Sequence, residues 1–122
     1  MRADLLTSVL TDLNGTSADI EASAIISTDG LMIASVLLAG MDEDQVGAMS
    51  AAMLSLGDRT AQELARGQLE QVLIKGARGF VLMTYAGTEA VLTVLAKPNA
   101  KLGLIFLDVK RAAESISGLL EE

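Results

Sequence analysis

The sequence predicts an α+β fold, an α/β sandwich in which a five-stranded antiparallel sheet carries helices on both faces. Three stretches repeat apolar residues at helical spacing, and five short apolar runs lie between them. Turns of a few residues separate the paired runs, as in antiparallel hairpins. Most of these runs are apolar or small on both alternating sets, whereas a sheet with one wet face alternates apolar and polar side chains. We expect the middle helix on one face and the two terminal helices on the other.

The first helix is expected over Arg2–Leu13, because Leu and Val recur at helical spacing and Asn14-Gly15 follows as an end signal. Two strands are expected next, over Ile20–Ser27 and Leu31–Leu37. An Asp-Gly pair lies between them, which is a strong hairpin signal. Its Asp29 is therefore interpreted as a turn residue and not as a catalytic carboxylate.

The longest helical pattern covers Asp42–Arg66, with Asp42 at the N-cap position and Gly67 after the end. Its apolar and small residues span about half of the circumference, whereas ~100° is enough for a helix on one sheet. It is either a core helix with a wide face, or a helix whose bulky stripe packs on the sheet and whose small side packs on a second copy. The bulky stripe contains Val46, Met49, Met53, Leu56 and Leu64. The small side contains Ser50, Leu54, Gly57, Ala61 and Ala65.

Three further strands are expected over Leu69–Lys75, Phe80–Ala86 and Glu89–Ala96, joined by short Gly-containing turns. Pro98 follows the last strand, and Asn99 is expected to cap a final helix that continues to about Leu120. No linker, repeat or low-complexity segment divides the chain, so one domain, residues 1–122, is expected.

Composition argues against several classes of function. The net charge of −7 and the aromatic content of 2 % disfavour a nucleic-acid partner, because such partners need clustered cations and stacking platforms. The chain has no His and no Cys, so common general bases and zinc sites are missing. The turn at 76–79 lacks the Lys-Ser/Thr of a phosphate-binding loop. We therefore expect no enzymatic activity, cofactor, metal or small-molecule substrate.

The expected location is the cytoplasm. No apolar run approaches the ~18 residues that a spanning helix needs, so no membrane insertion is expected. The pattern of a secretion signal does not appear at Met1. A chain without Cys is compatible with a reducing compartment.

Three segments, in this order and spacing, resemble the Roadblock/LC7 family. They are Ser27–Leu31 (STDGL), Leu69–Ile74 (LEQVLI) and Val94–Ile105 (VLAKPNAKLGLI), the last running into Lys110–Ala113 (KRAA). The resemblance covers nearly the whole chain and implies a profilin-like sandwich that dimerises. In the family, two sheets typically join edge to edge through the third strand, with the middle helices side by side. Such joining pairs backbone groups that an open edge leaves free.

The resemblance further implies a homodimeric regulator or adaptor of a small Ras-like GTPase, similar to the single-domain bacterial and archaeal regulators of a cell-polarity GTPase. The GTPase would dock on the paired middle helices, and an effect on GTP hydrolysis is left open. Two alternatives also stay open: a dimerisation scaffold for a signalling or motor complex with no effect on nucleotide, and a module that senses a small ligand between helix and sheet.

Residues for these contacts are predicted on the middle helix and the third strand. The helix pattern does not say which of the interface residues face the twin and which face the sheet. The predicted homodimer interface comprises Val46, Met49, Ser50, Met53, Gly57, Ala61, Leu69, Gln71 and Leu73. The candidate partner-facing residues are Ala48, Ala52, Ser55, Arg59, Gln62 and Arg66. Arg59, Arg66 and Arg78 are candidates for an Arg inserted beside a bound GTP, with solvated surface charges as the alternative interpretation.

Overall fold

The computed structural model describes residues 2–121, so Met1 and Glu122, the ends of the predicted domain, lie outside the described residues. The elements are α1 (Arg2–Thr16), β1 (Ile20–Ser27), β2 (Met32–Val36), α2 (Glu43–Glu63), β3 (Val72–Gly76), β4 (Gly79–Ala86), β5 (Ala90–Ala96) and α3 (Leu102–Leu120). The predicted order of helices and strands is confirmed. Within this described part, no helix is long and apolar enough to cross a membrane.

The five strands form one sheet in the order β2-β1-β5-β4-β3, and every neighbouring pair is antiparallel. The turn between β1 and β2 closes through the Ser27 amide, which donates to the Leu31 carbonyl at 2.8 Å, and the Gly30 amide, which donates to the Ser27 carbonyl at 2.9 Å. Gly30 has a φ of 93°, a conformation that favours glycine. The turn predicted at Asp29-Gly30 is therefore present.

The two faces of the sheet are covered as predicted, with α1 and α3 on one face and α2 on the other. Beneath α1 and α3 lies a large core, in which Leu10, Ile25, Leu92 and Ile116 are fully buried. The cluster beneath α2 is small and contains three buried residues, Leu54, Met83 and Val91. Most of the apolar burial that stabilises this chain is therefore on the α1–α3 side.

Three helix ends differ from the prediction. α1 continues to Thr16 instead of ending at Leu13, because the Asn14 side chain does not cap the helix but bonds to the sheet. Asn14 Oδ1 accepts from Ser23 Oγ at 2.7 Å, and its Nδ2 donates to the Val36 carbonyl at 3.4 Å. The predicted cap of α3 at Asn99 is wrong: the N-cap position is Lys101, whose amide donates to Asp19 Oδ2 at 3.2 Å.

α2 ends at Glu63 and not at Arg66. Ala65 has a φ of 58°, and the Ala65 and Arg66 amides donate back to the Gln62 and Ala61 carbonyls at 3.1 and 2.7 Å. This is a left-handed helix end of the Schellman type, formed by Ala where Gly is usual. β3 then begins only at Val72, since residues 64–71 are needed to leave the helix and return to the sheet edge. The other strand ends agree with the prediction to within one residue.

Candidate interaction surface

The start of α2 is held by Asp42, as predicted. Its Oδ1 accepts hydrogen bonds from the amides of Asp44 at 2.9 Å and Gln45 at 3.3 Å. Two acidic residues, Glu43 and Asp44, lie in the first turn, where the helix dipole favours negative charge. The cap thus fixes where the helix begins over the β2 edge of the sheet, and the Glu43 carboxylate accepts a bond from Ser35 Oγ at 3.1 Å.

Small residues bring α2 close to the sheet. A Cβ added to Gly47 would lie 2.6 Å from the carbonyl oxygen of Gly30, so the helix touches the β1–β2 turn where only glycine fits. One turn further, Thr93 Oγ1 on β5 donates to Ser50 Oγ at 2.8 Å, and both side chains are buried. Leu54 then packs on Met83 and Val91. The face of α2 that contacts its own sheet is therefore built largely from Gly, Ser and one Leu.

One of the two interpretations of α2 places its bulky stripe on the sheet and its small side on a second copy, and the structure shows the reverse. Met49, Leu56 and Leu64 of the bulky stripe are 59 %, 58 % and 65 % exposed. Val46 and Met53 are half-buried at its border. The reason is steric: the close approach at Gly47 and Ser50 turns the small residues inward and leaves the long side chains projecting from the helix.

Two residues predicted in the dimer interface are engaged within the protomer. Ser50 is buried and bonded to Thr93, so it is not part of the exposed surface. Gly57 faces the start of β3, since a Cβ there would meet Val72 Cγ2 at 2.8 Å and Leu69 Cδ2 at 3.3 Å. Ala61 lies half-buried on the same side.

An apolar groove of about 360 Å³ separates the C-terminal half of α2 from β3 and the segment that precedes it. Met53 and Leu56 form one wall, and Leu69 and Val72 form the other. Thr60 and Arg66 are the polar side chains at its rim. The exposed stripe of α2 and this groove are continuous through Met53, Leu56 and Leu64, which line both.

The strand at this edge, β3, is open and regular. Its pairing with β4 runs without a bulge from Val72 opposite Met83 to Gly76 opposite Gly79. Directly opposite residues share a face, so Leu73 lies on the α1–α3 side with Leu82, and Ile74 lies on the α2 side with Val81. Both Leu73 and Ile74 are exposed. The edge therefore offers free backbone groups flanked by apolar side chains.

The opposite edge, β2, is obstructed. Ile33 has no partner on β1, because the register shifts from Ala34 opposite Ile25 to Met32 opposite Ile26. Such a bulge twists an edge away from further pairing. Asn14 also occupies the Val36 carbonyl. Of the two edge strands, β3 is therefore the one that can form a regular ladder with a further strand.

The remaining predicted strand residues occupy different places. Leu69 and Gln71 precede β3 and are not strand residues, contrary to the prediction. Leu69 is half-buried against the α2-side cluster and lines the groove, whereas Gln71 is exposed. Leu73 lies in β3 as predicted.

All six candidate partner-facing residues are exposed. Ala48, Ala52 and Ser55 lie on the flank of α2 away from the groove, and Ala48 lies beside the Gly30 turn. Gln62 lies in the last turn of the helix. Arg59 Nε is 3.3 Å from Glu63 Oε1, and Arg66 Nε donates to the Leu64 carbonyl at 3.1 Å. Arg78 is exposed in the β3–β4 turn, apart from that flank.

Tyr85 and the groove around it are not among the sites predicted from the sequence. This open groove, of about 960 Å³, lies where β3 stops short of the end of β4, and hydroxyl and carboxylate side chains surround Tyr85 there. Burial, and then the nearby charge of Asp58, raise the pKa of Tyr85. Among the described residues, each buried side-chain polar atom has a partner in the protein, and no group of carboxylates has the arrangement of a metal site.

A sheet with two helices on one face and one on the other defines a profilin-like domain. The family model named Roadblock/LC7 domain matches residues 6–96. An uncharacterized protein of Methanocaldococcus jannaschii is 44 % identical over 111 residues, covering 91 % of this chain and 96 % of that protein. The fold is similar to Myxococcus xanthus MglB (TM-score 0.89, 19 % identity, 98 % and 90 % of the chains covered). It is also similar to Acanthamoeba castellanii profilin IB (TM-score 0.68, 17 % identity, 93 % and 97 % covered).

The chain belongs to the Roadblock/LC7 family. This is generally a family of regulatory and adaptor domains and not of enzymes. The resemblance stated from three sequence segments is thereby confirmed.

Proposed function

We propose that this protein is a homodimeric regulator or adaptor of a small Ras-like GTPase. The observation that carries the proposal is the exposed apolar stripe of α2, which continues into the groove beside the open edge of β3. A stable monomer rarely leaves such a continuous apolar surface uncovered. In the proposed dimer, two β3 strands pair antiparallel about a two-fold axis and the two α2 helices lie side by side.

The chemistry of the stripe suits a second copy of the same chain. Met49, Met53 and Leu56 carry no charge, so the stripe can face its own image without repulsion. Full burial of each such side chain contributes about 1.5–3 kcal/mol. Pairing of the β3 edges adds backbone hydrogen bonds, each with a net contribution of about 0.5–1.5 kcal/mol. Ile74 would be covered on the α2 side at the same time.

The GTPase would dock on the other flank of α2. The residues Ala48, Ala52 and Ser55 are exposed and small, so a partner can approach the helix backbone closely. Family membership supports a partner of this class, because the Roadblock/LC7 resemblance implies regulation of Ras-like GTPases. Arg59 and Arg66 contact groups of their own chain, and the proposed regulation acts by contact with the GTPase surface and requires no inserted Arg.

Leu56→Glu tests the dimer. Leu56 is exposed, so the substitution leaves the protomer folded but places a charge in the proposed seam. We expect light scattering to give twice the protomer mass for the unaltered protein and the protomer mass for Leu56→Glu. Leu38→Glu is the matched control, since Leu38 is exposed in the loop before α2 and lies outside the groove. A folded Leu56→Glu protein that stays dimeric would rule out the α2 seam.

The partner is tested by measuring GTP hydrolysis of each small Ras-like GTPase from the source organism, with and without this protein. Ala52→Arg obstructs the proposed docking flank and leaves the dimer seam intact. A changed rate that Ala52→Arg abolishes supports regulation. A stable complex on a sizing column with an unchanged rate supports the scaffold alternative. If none of these GTPases forms a complex or changes its rate, a GTPase partner is refuted.

A further inference from the structure

The ladder between β3 and β4 stops before β4 does. β3 begins at Val72, opposite Met83, whereas β4 continues to Ala86. The open groove of about 960 Å³ lies at this place, between the segment 68–71 and the outer side of α3, and we call it the β4-edge groove. Ligand pockets have volumes of about 300–1,000 Å³, so this groove has room for a short segment of another chain.

The backbone of Tyr85 faces the β4-edge groove. A turn of two residues joins Gly76 to Gly79, so this pair is a hydrogen-bonded one, and every second residue of β4 from Gly79 onwards directs its amide and carbonyl to the β3 side. Tyr85 belongs to this set, and β3 has no residue opposite it. A continued ladder would direct the Glu70 carbonyl to the Tyr85 amide, but that carbonyl accepts from Thr84 Oγ1 at 2.9 Å instead. Among the described residues, no backbone bond from the segment before β3 reaches Tyr85.

The β4-edge groove is acidic. Carboxylates reach it from three directions, one from α2, one from the segment before β3 and two from α3, and these are Asp58, Glu70, Glu114 and Glu121. Lys110 is the one cation in its lining. The described side chains form a single ion pair within 4.0 Å, between Arg59 and Glu63, so the four carboxylates and Lys110 are unpaired. In the part of the chain that the structure describes, no three carboxylates are placed to hold a metal ion, so the excess charge favours a basic polypeptide over a metal.

The cations on neighbouring elements belong to other parts of the surface. Arg66 lines the groove beside α2, and its Nε donates to the Leu64 carbonyl at 3.1 Å. Lys75 lies at the far end of β3, with its Nζ 6.0 Å from the centre of the Phe80 ring. Arg111 of α3 lines the groove towards α1. None of these three lines the β4-edge groove, so its negative charge is not offset from outside.

The α3 wall of the groove also contains apolar side chains. Phe106 is half-buried there, with Val109 and Ala113 beside it. Lys and Arg side chains pack their aliphatic stems on apolar surface while their charged ends reach further out. An apolar wall with Glu114 and Glu121 at its rim therefore suits these two residue types in a ligand.

We propose that the β4-edge groove binds an extended, basic segment of a partner protein. The segment adds to β4 and exchanges backbone hydrogen bonds with the amide and carbonyl of Tyr85. Side chains alternate between the two sides of a strand, so one set of Lys or Arg residues meets Glu114 and Glu121 of α3. The other set meets Asp58 of α2.

This interaction goes beyond the proposed function and does not rest on it. The groove shares only Leu69 and Gln71 with the predicted dimer interface, and it contains none of the candidate partner-facing residues of α2. Its test uses no GTPase, so its failure and the failure of GTPase regulation are distinguishable.

The test uses a fluorescein-labelled peptide of four Thr-Lys repeats, whose binding to the full chain is followed by fluorescence anisotropy. We expect binding at low salt that weakens as salt screens the charges. Glu114→Lys is expected to weaken binding by about fivefold or more, because it replaces an attraction by a repulsion at an exposed position. Asp12→Lys is the matched control, since it makes the same change in net charge at an exposed position of α1 outside the groove, and it leaves binding unchanged.

The backbone part of the proposal has its own control. The same peptide with N-methylated amides keeps every charge but cannot donate to the Tyr85 carbonyl, so it is expected to bind more weakly. Hydrogen exchange of the Tyr85 amide is expected to slow with the unmodified peptide only.

Four outcomes would overturn the proposal. The first is no binding of the peptide, and the second is an equal loss in Glu114→Lys and Asp12→Lys. The third is equal binding of the methylated peptide without protection of the Tyr85 amide, which means attraction to surface charge alone. The fourth is binding only in the Leu56→Glu background, which means that a second copy of this chain covers the groove.

Discussion

On the face covered by α1 and α3, the sheet residues Leu92 and Val94 are fully buried beneath Leu10 and Ile116. On the face covered by α2, only a small cluster around Leu54 is buried, and the helix directs its large apolar side chains outward. One helix spans too little of a five-stranded sheet to close its face, whereas two antiparallel helices suffice. The first face thus supplies most of the stability of the protomer, and the second leaves apolar surface exposed, which is the surface of the proposed dimer.

The two edges of the sheet differ in the same way as the two faces, because one is obstructed and the other is open. A bulge at Ile33 and the Asn14 side chain obstruct β2, while β3 pairs regularly with β4 and is free on its other side. The unobstructed edge lies beside the groove of the under-covered face. The exposed apolar side chains and the free backbone groups of the edge strand therefore lie in one region. Such a region is expected in a domain that binds a partner there.

The largest expected effect comes from large-to-small substitution on the closed face. Leu92→Ala removes a fully buried side chain and is expected to lower the free energy of unfolding by about 2–5 kcal/mol. Leu56→Ala, on the open face, removes an exposed side chain of the same size. Its effect on the free energy of unfolding is expected to be below about 0.5 kcal/mol in dilute protein. The effect is expected to grow with protein concentration, since the proposed dimer would add to stability by mass action.

Urea unfolding at several protein concentrations measures the free energy of unfolding of Leu92→Ala and Leu56→Ala. The destabilisation caused by Leu92→Ala is expected to be present at every concentration, because the side chain is buried within one protomer. Equal, concentration-independent losses of stability in both variants would contradict the division between the faces.

A smaller effect is expected at the two glycines through which α2 approaches the sheet. In Gly47→Ala the new methyl meets the Gly30 carbonyl oxygen at 2.6 Å, a backbone atom that cannot rotate away, so a loss of about 1–3 kcal/mol is expected. In Gly57→Ala the methyl meets Val72 Cγ2 at 2.8 Å, and that side chain can move. The helix-propensity gain of about 0.5–1 kcal/mol then offsets most of the cost.

Chemical unfolding of both variants at one protein concentration measures this difference, and each variant controls for the helix propensity of the other. A Gly57→Ala protein destabilised as much as Gly47→Ala would mean that the groove side of α2 is as rigidly packed as the turn side.

The order of elements was predictable because the local signals agree with the fold. Asp29-Gly30 forms the expected turn, Asp42 caps α2, and strands that are apolar on both sides lie between two helical layers. The ends that were mispredicted depend on distant contacts. Asn14 bonds to Ser23 and Val36 and not to its own helix, and the start of α3 is held by Asp19, eighty-two residues away from Lys101.

The orientation of α2 was the main error about the candidate site. Helical periodicity located one stripe of large residues and one of small residues, and one of the two interpretations assigned the large stripe to the sheet, by the general tendency to bury large side chains. The close approach at Gly47 and the bond from Thr93 to Ser50 reverse that assignment. The periodicity of the helix alone could not predict either contact. Each depends on a residue that is distant in sequence, Gly30 in the β1–β2 turn or Thr93 on β5.

The smallest expected effect concerns Tyr85, which lies at the open end of the α2 face. Burial of the hydroxyl, and then the negative charge of Asp58, raise its pKa above the usual value of about 10. The folded state therefore favours the neutral phenol. This contribution to stability is fully present below the unfolded pKa and is lost as the pH rises through the folded pKa, so the free energy of unfolding is expected to fall above about pH 10.

Tyr85 is the only tyrosine and the chain has no Trp, so its tyrosinate absorbance can be titrated without overlap. Asp58→Asn removes the second cause and is expected to lower the pKa of Tyr85 while leaving it above the usual value, because burial remains. Asp29→Asn is the matched control and leaves the titration unchanged. A pKa that returns fully to the usual value in Asp58→Asn would mean that water reaches the phenol freely, and that the α2 face is more open at this end than the packing of Leu54, Met83 and Val91 implies.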